Sequence, residues 1–99
     1  MFMEVAQIQV KPGSETQFEA GVQQAVPLFQ RAQGCTAMRL ERSVEQPTHY
    51  TLLVQWNTVD DHMVGFRESA DFQEWRKLVG EFFAAPPQVG HTATVVTGF

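Results

Sequence analysis

What this chain has least of is cysteine. Cys35 stands alone among 99 residues, so no internal disulfide can form and the framework of a small disulfide-stapled secreted domain is excluded. Basic residues are also few. Seven Lys and Arg face eleven Asp and Glu, giving a net charge of −4, and the cations are not clustered. A surface that tracks phosphates needs a basic patch, so nucleic acid is not an expected partner. No segment approaches the roughly 18 uninterrupted apolar residues of a membrane span. The stretch Met1 to Val10 has no basic run leading into a long apolar one. Neither a membrane nor export is therefore expected, and the cytoplasm is the expected compartment. There is no Gly-rich phosphate loop, no Gly-x-Ser-x-Gly turn and no Cys/His pair at catalytic spacing, which leaves phosphoryl transfer and the familiar hydrolases without support. His49 and His91 have no Cys or carboxylate at ligand spacing, so no metal site is expected, and no motif calls for a cofactor.

Aromatic residues, by contrast, are plentiful: eight Phe, two Trp and one Tyr in a short chain, which favours a packed core over disorder. Residues 2–10 place Ala6, Ile8 and Val10 on one face and Gln7 and Gln9 on the other, the two-residue period of a strand. Pro12-Gly13 ends it. Ser14-Glu15-Thr16-Gln17 matches a capping box, and Phe18, Val22, Ala25, Val26 and Phe29 follow at helical spacing to about Ala32. Pro27 removes a helix hydrogen bond, so a kink is expected there, and Gly34 suits a left-handed helix end.

Residues 35–44 alternate again, with Met38, Leu40 and Val44 opposite Arg39, Glu41 and Ser43. The polar stretch 45–48 turns them into a second strand, 49–56, which completes a hairpin. That strand has Tyr50, Leu52, Val54 and Trp56 on one face and Leu53 on the other, so it belongs inside a sheet. Thr58 and Asp61 start a short helix to about Phe66. Ser69 or Asp71 caps another, whose stripe is Phe72, Trp75, Leu78, Val79 and Phe82. Pro86-Pro87 stops it, and residues 89–99, rich in β-branched side chains, read as a closing strand.

The resulting order, βαββαβ, implies one α+β domain over 1–99, a ferredoxin-like fold with a four-stranded antiparallel sheet and its helices on one face. Neighbouring apolar pairs such as Leu52-Leu53 and Val95-Val96 put apolar groups on both faces of the sheet. A bare apolar face is covered most simply by a second copy across a twofold axis, so a homodimer is expected.

Several stretches together resemble the antibiotic biosynthesis monooxygenase family: Gln33-Gly34-Cys35 before a strand, LLVQWNTVDDHMVGF at 52–66, and SADFQEW at 69–75. The resemblance spans nearly the whole chain and implies a dimeric α+β barrel. Several members oxidise quinols, anthrones or related phenols with O₂ and without metal or flavin. Others degrade haem or have no known activity. In the anthrone-oxidising branch a strand-ending Trp and a last-helix Arg contact substrate, and Trp56 and Arg76 match them. A Tyr of that branch corresponds to His62, and a strand Asn to Leu52, a departure from its pattern. The axial His of the haem-degrading branch is replaced by Arg76, and a His of the quinol-oxidising branch by Gly65.

Cofactor-free oxygenation needs a base, an anion stabiliser and an apolar cavity. The resemblance points to Arg76 as the stabiliser and His62 as the base. Trp56, Phe66, Trp75 and Phe83 are the candidate walls for a small aromatic substrate. The residues also admit plainer roles. Arg76 could pair with Glu74, His62 could be a solvated first-turn residue, and the aromatics could be core. His91 is expected to point to solvent or an interface, and Cys35 to be a small buried hydrophobe. A non-catalytic dimer holding a small apolar ligand, and a lactone isomerase on the same fold, stand as alternatives to the oxygenase.

Overall fold

The computed structural model describes residues 1–99. In chain order they form β1 (Phe2–Gln9), α1 (Glu15–Gln30), β2 (Cys35–Arg42), β3 (His49–Trp56), a π turn (Asp61–Phe66), α2 (Ala70–Val79), a 3₁₀ turn (Gly80–Phe82) and β4 (Gln88–Thr92). The four strands make one antiparallel sheet in the order β2-β3-β1-β4, the ferredoxin-like arrangement expected from the βαββαβ order. β3 lies inside the sheet, as its two-sided apolar pattern requires, and the edges are β2 and β4.

The register fixes which residues share a face. Glu4 pairs with Val54 and His91, and Ala6 with Leu52 and Val89, so these side chains point the same way. That face carries the core. Ala6, Ile8, Tyr50, Leu52, Val54 and Trp56 are buried against Phe18, Val22, Ala25 and Phe29 of α1 and Trp75 and Val79 of α2. The opposite face, with Met3, Val5 and Leu53 near its centre, is only half-buried. Gly21 lets the two helices meet, because a Cβ there would come within 2.7 Å of the Leu78 carbonyl oxygen.

Local chemistry explains where expectation and structure differ. The Ser14 side chain makes no cap bond; its own N–H donates to the Lys11 carbonyl at 3.0 Å, and the Gly13 N–H before it to the Glu15 carboxylate at 2.7 Å. α1 runs on through Pro27, which with Gln23 lies on its exposed side. Ser69, by contrast, caps α2 as expected, accepting from the Phe72 N–H. The closing strand is shorter than its composition suggests. Its ladder with β1 ends at Met3↔Thr92, and no strand lies alongside the residues beyond. Val95 and Val96, expected in that strand, are instead 92% and 82% exposed. β propensity without a neighbouring strand does not make a ladder.

Candidate functional site

The largest departure from an apolar core lies at one end of the helix-covered face. β1 contributes Glu4, an ionisable residue at an inward position of a strand whose next inward residues are Ala6 and Ile8. Its residue exposure is 5%, and the bond it finds there is with the neighbouring strand: the Trp56 indole N–H donates to Glu4 Oε1 at 3.0 Å. Trp56 closes β3, is fully buried and stacks on the His62 ring at 5.1 Å with an interplanar angle of 18°.

His62 comes from the π turn. Thr58 starts that segment as expected, its hydroxyl accepting from the Asp61 N–H. The Arg67 N–H reaches back five residues to the His62 carbonyl at 3.0 Å, and the wider turn directs both His62 and Phe66 inward. Gly34, at φ +81°, lets the start of β2 pass close beneath, since a Cβ there would collide with the Asp61 carboxylate. His62 Nε2 lies 3.2 Å from Glu4 Oε1, and its Nδ1 lies 2.8 Å from Nε2 of His91 on β4. The partner of Glu4 in the β1–β4 ladder is that same His91.

Burial governs the protonation of this group. It pushes the Glu4 carboxyl up to about 7, against the opposing pull of the Trp56 bond and the Arg67 charge. It pushes His62 down to about 4, helped by His91 and Arg67. The 3.2 Å contact is therefore not an ion pair at intermediate pH. Between those two values a neutral carboxyl meets a neutral imidazole, and above them a carboxylate meets a neutral imidazole. The three side chains are bonded in series rather than converging on one point, and no group of three His, Cys, Asp or Glu side chains is placed to hold a metal ion.

Glu4 and His62 open onto a cavity of about 480 Å³ between the sheet, α2 and the segment that follows α2. That segment is tied to the end of β1: the Lys11 N–H donates to the Phe82 carbonyl, and the Ala84 N–H to the Gln9 carbonyl. The cavity thus gains Phe83 on one wall, with Trp75, Phe72 and Leu52 on others. Arg67 and Arg76 border it, and neither forms an ion pair; Glu74 is taken by Lys77. Arg67 lies over the Phe72 ring at 5.0 Å.

Of the six residues singled out from sequence, His62, Arg76, Trp75 and Phe83 are brought together around this cavity. Trp56 and Phe66 stand behind its wall, where Trp56 supports Glu4 and His62, and Phe66 packs on Trp56, Phe29 and Phe72. Glu4, Arg67 and His91 were not foreseen. His91 turns its Nε2 to His62, because the β1–β4 register places it on the helix-covered side, while the residue stays half-buried at the sheet edge. Glu4 had a legible signal, a charge on the inward face of an alternating strand. Cys35 is half-buried against the core, and burial pushes its thiol up, away from the reactive thiolate.

Comparison with known proteins bears on this site. The family model described as antibiotic biosynthesis monooxygenase matches residues 1–78. An uncharacterized Bacillus subtilis (strain 168) protein, YczJ, is 37% identical over 91 residues, covering 92% of this chain and 96% of its own length. A Bordetella bronchiseptica crystal structure, assigned only provisionally as an antibiotic biosynthesis monooxygenase, is 63% identical, with a TM-score of 0.95 over 96% of this chain and 97% of that one. A Nitrosomonas europaea structure with the same provisional assignment has a TM-score of 0.83 at 19% identity, covering 95% and 89% of the two chains, and shows the shared fold alone.

Proposed function

Because the chain belongs to the antibiotic biosynthesis monooxygenase family, we propose that it is a cofactor-independent monooxygenase of a small phenol, quinol or anthrone-like aromatic. The observation that carries the reading is a buried carboxyl, held near neutrality, facing an aromatic-walled cavity bordered by two arginines without ion-pair partners. Such a carboxyl can take a weakly acidic proton at ordinary pH. Arg76, with Arg67, would hold the resulting delocalised anion, for which a planar guanidinium is suited.

For an anthrone the steps balance as follows. The proton passes to Glu4, hydrogen-bonded to His62, and the anion gives one electron to O₂. The organic radical and superoxide join at carbon to form a peroxide. Protonation and loss of water then leave a carbonyl, so one oxygen atom ends in the quinone and the other in water. Trp75 and Phe83 would sandwich the ring system, with Trp56 and Phe66 keeping the wall rigid from behind. The working unit in this reading is a single domain over residues 1–99, paired as a cytoplasmic homodimer. The half-buried sheet face around Met3, Val5 and Leu53 would meet its own copy. Light scattering at micromolar concentration should give a dimer, and a monodisperse species of 11.2 kDa would remove this part.

The direct test is O₂ uptake by metal-stripped protein against quinols, naphthols and anthrones. Uptake should rise with pH and level off above about 7 as Glu4 ionises, and it should fall about 100-fold in Arg76→Ala. A carboxyl that gives and takes a proton near neutrality also suits a lactone isomerase. Turnover that persists under nitrogen would favour that reading, and ligand binding without turnover would favour a binding protein.

A further inference from the structure

Two of the three polar groups in series at this site are buried, while the third, His91, is half-buried on the edge strand β4. Glu4 and His62 both border the cavity, and the chain Glu4 Oε1, His62 Nε2, His62 Nδ1, His91 Nε2 contains no gap longer than 3.2 Å. We infer that Glu4, His62 and His91 form a proton path from the cavity to the edge of the sheet, with His91 as its outlet. This deepens the oxygenase reading and rests on it for the source of the proton, though not for the path itself.

The geometry defines both end states. With Glu4 protonated, its O–H donates to His62 Nε2, and the His62 Nδ1–H donates to His91 Nε2. When the carboxyl ionises, its proton moves to His62 Nε2 as the Nδ1 proton moves to His91 Nε2. His91, transiently an imidazolium, releases its Nδ1 proton to water. One proton leaves for each carboxylate formed, and His62 ends neutral as it began, in the other tautomer. Burial, which holds His62 down to about 4, keeps the imidazolium out of the middle of the path. Trp56, stacked on His62 and bonded to Glu4, prevents either ring or carboxyl from turning away.

The ionisable groups around the path come from several elements. Glu4 is from β1, Cys35 from β2, His91 from β4, Arg67 from the end of the π turn and Arg76 from α2. None of them lies between His62 and either of its partners. The path also runs inward. His91 can reload Glu4 from solvent while the cavity is occupied, which a base reached only through the cavity could not do.

The first measurement is made on the wild-type chain labelled with ¹⁵N-histidine, by two-bond ¹H–¹⁵N spectra from pH 5 to 9. His62 should stay neutral and change from the Nδ1–H to the Nε2–H tautomer, with a midpoint that coincides with the Glu4 carboxyl titration read by ¹³C. A single tautomer throughout, or conversion of His62 to the imidazolium in that range, overturns the path. The second is O₂ uptake with an anthrone as probe. His91→Gln should lower turnover about tenfold, and added imidazole should restore it while leaving the wild type unchanged. A loss that imidazole does not relieve overturns the path, since a purely structural defect has no reason to respond to a small base. If the wild type takes up no O₂, the oxygenase reading fails while the tautomer spectra still decide the path.

Discussion

The helix-covered face of the sheet carries two cavities of nearly equal size, and each is built around a glutamate bonded to an aromatic donor. At one end Glu4 accepts from the Trp56 indole and opens onto about 480 Å³. At the other, Glu19 accepts from the Tyr50 hydroxyl at 2.5 Å beside a groove of about 460 Å³ between α1 and β2. Their surroundings differ. The Glu4 side chain is 6% exposed, its donors are neutral, and the two arginines bordering its cavity are unpaired. The Glu19 side chain is 46% exposed and lies 3.6 Å from Arg42, so water and a fixed cation satisfy it. A charged pair at the rim contributes little and offers little chemistry, whereas a sealed carboxyl with neutral partners is held where it can exchange a proton.

The largest effect expected from this contrast is on turnover. Glu4→Gln keeps the shape and removes the proton acceptor, so O₂ uptake should fall about 10² to 10⁴-fold. Glu19→Gln should change it less than twofold. Equal losses in the two variants would erase the distinction between the cavities. Next in size is the pair of cations. Arg76→Ala should cost about 100-fold in kcat/KM for a substrate that passes through an anion, while Arg42→Ala should be nearly silent.

The third test uses stability against pH, where the sign separates the two sites. The Glu4 carboxyl is raised from 4.5 to about 7 on folding, so its stabilising protonated form is fully present below about 4.5 and lost as pH rises through 7. His62, lowered from 6.5 to about 4, acts oppositely: its contribution is present above 6.5 and lost as pH falls to 4. Between pH 4.5 and 6.5 the two trends offset one another, and the wild type should be nearly flat. Glu4→Gln leaves only the second trend. Its stability relative to wild type should therefore grow from pH 4.5 to 7 by at most about 3 kcal/mol, read by urea unfolding at several pH values.

How much of this was open to sequence reasoning depends on the kind of signal. Periodicity reports which side of a strand or helix is buried, so the βαββαβ order, the inner position of β3 and the Ser69 cap could be read from residue spacing. Pairing between distant strands has no such local signal. The opposition of Glu4 to His91 exists only through the β1–β4 register, which is why His91 was expected at solvent or an interface without a partner in the site. The end of β4 at Thr92 has the same origin, since β-branched composition cannot show that the neighbouring strand has run out. Trp56 illustrates a different limit. Its place at the site was legible from the family resemblance, but whether it faces the cavity or supports it from behind depends on how the π turn brings His62 across its ring. Glu4 could have been found, because an ionisable residue on the apolar side of an alternating strand needs a partner or a purpose.

The smallest expected effect concerns the aromatic donors. Tyr50 is 2% exposed, and burial, then its bond to Glu19, pushes its hydroxyl up to about 12, so it stays a donor at any pH the protein meets. Tyr50→Phe removes that donor while leaving the ring in its contact with Phe18 at 4.8 Å. Glu19 then turns to water and Arg42, so no buried polar atom is left without a partner, and the loss should be about 1 kcal/mol or less. Trp56→Phe is the matched change at the other cavity, where a carboxyl only 6% exposed loses its donor and the lost ring volume leaves a void, so it should cost about 2 to 4 kcal/mol. Thermal or urea unfolding of the two variants gives the ratio directly. If Tyr50→Phe proved as damaging as Trp56→Phe, exposure would not be what separates the two glutamates, and the reason for placing the chemistry at Glu4 would go with it.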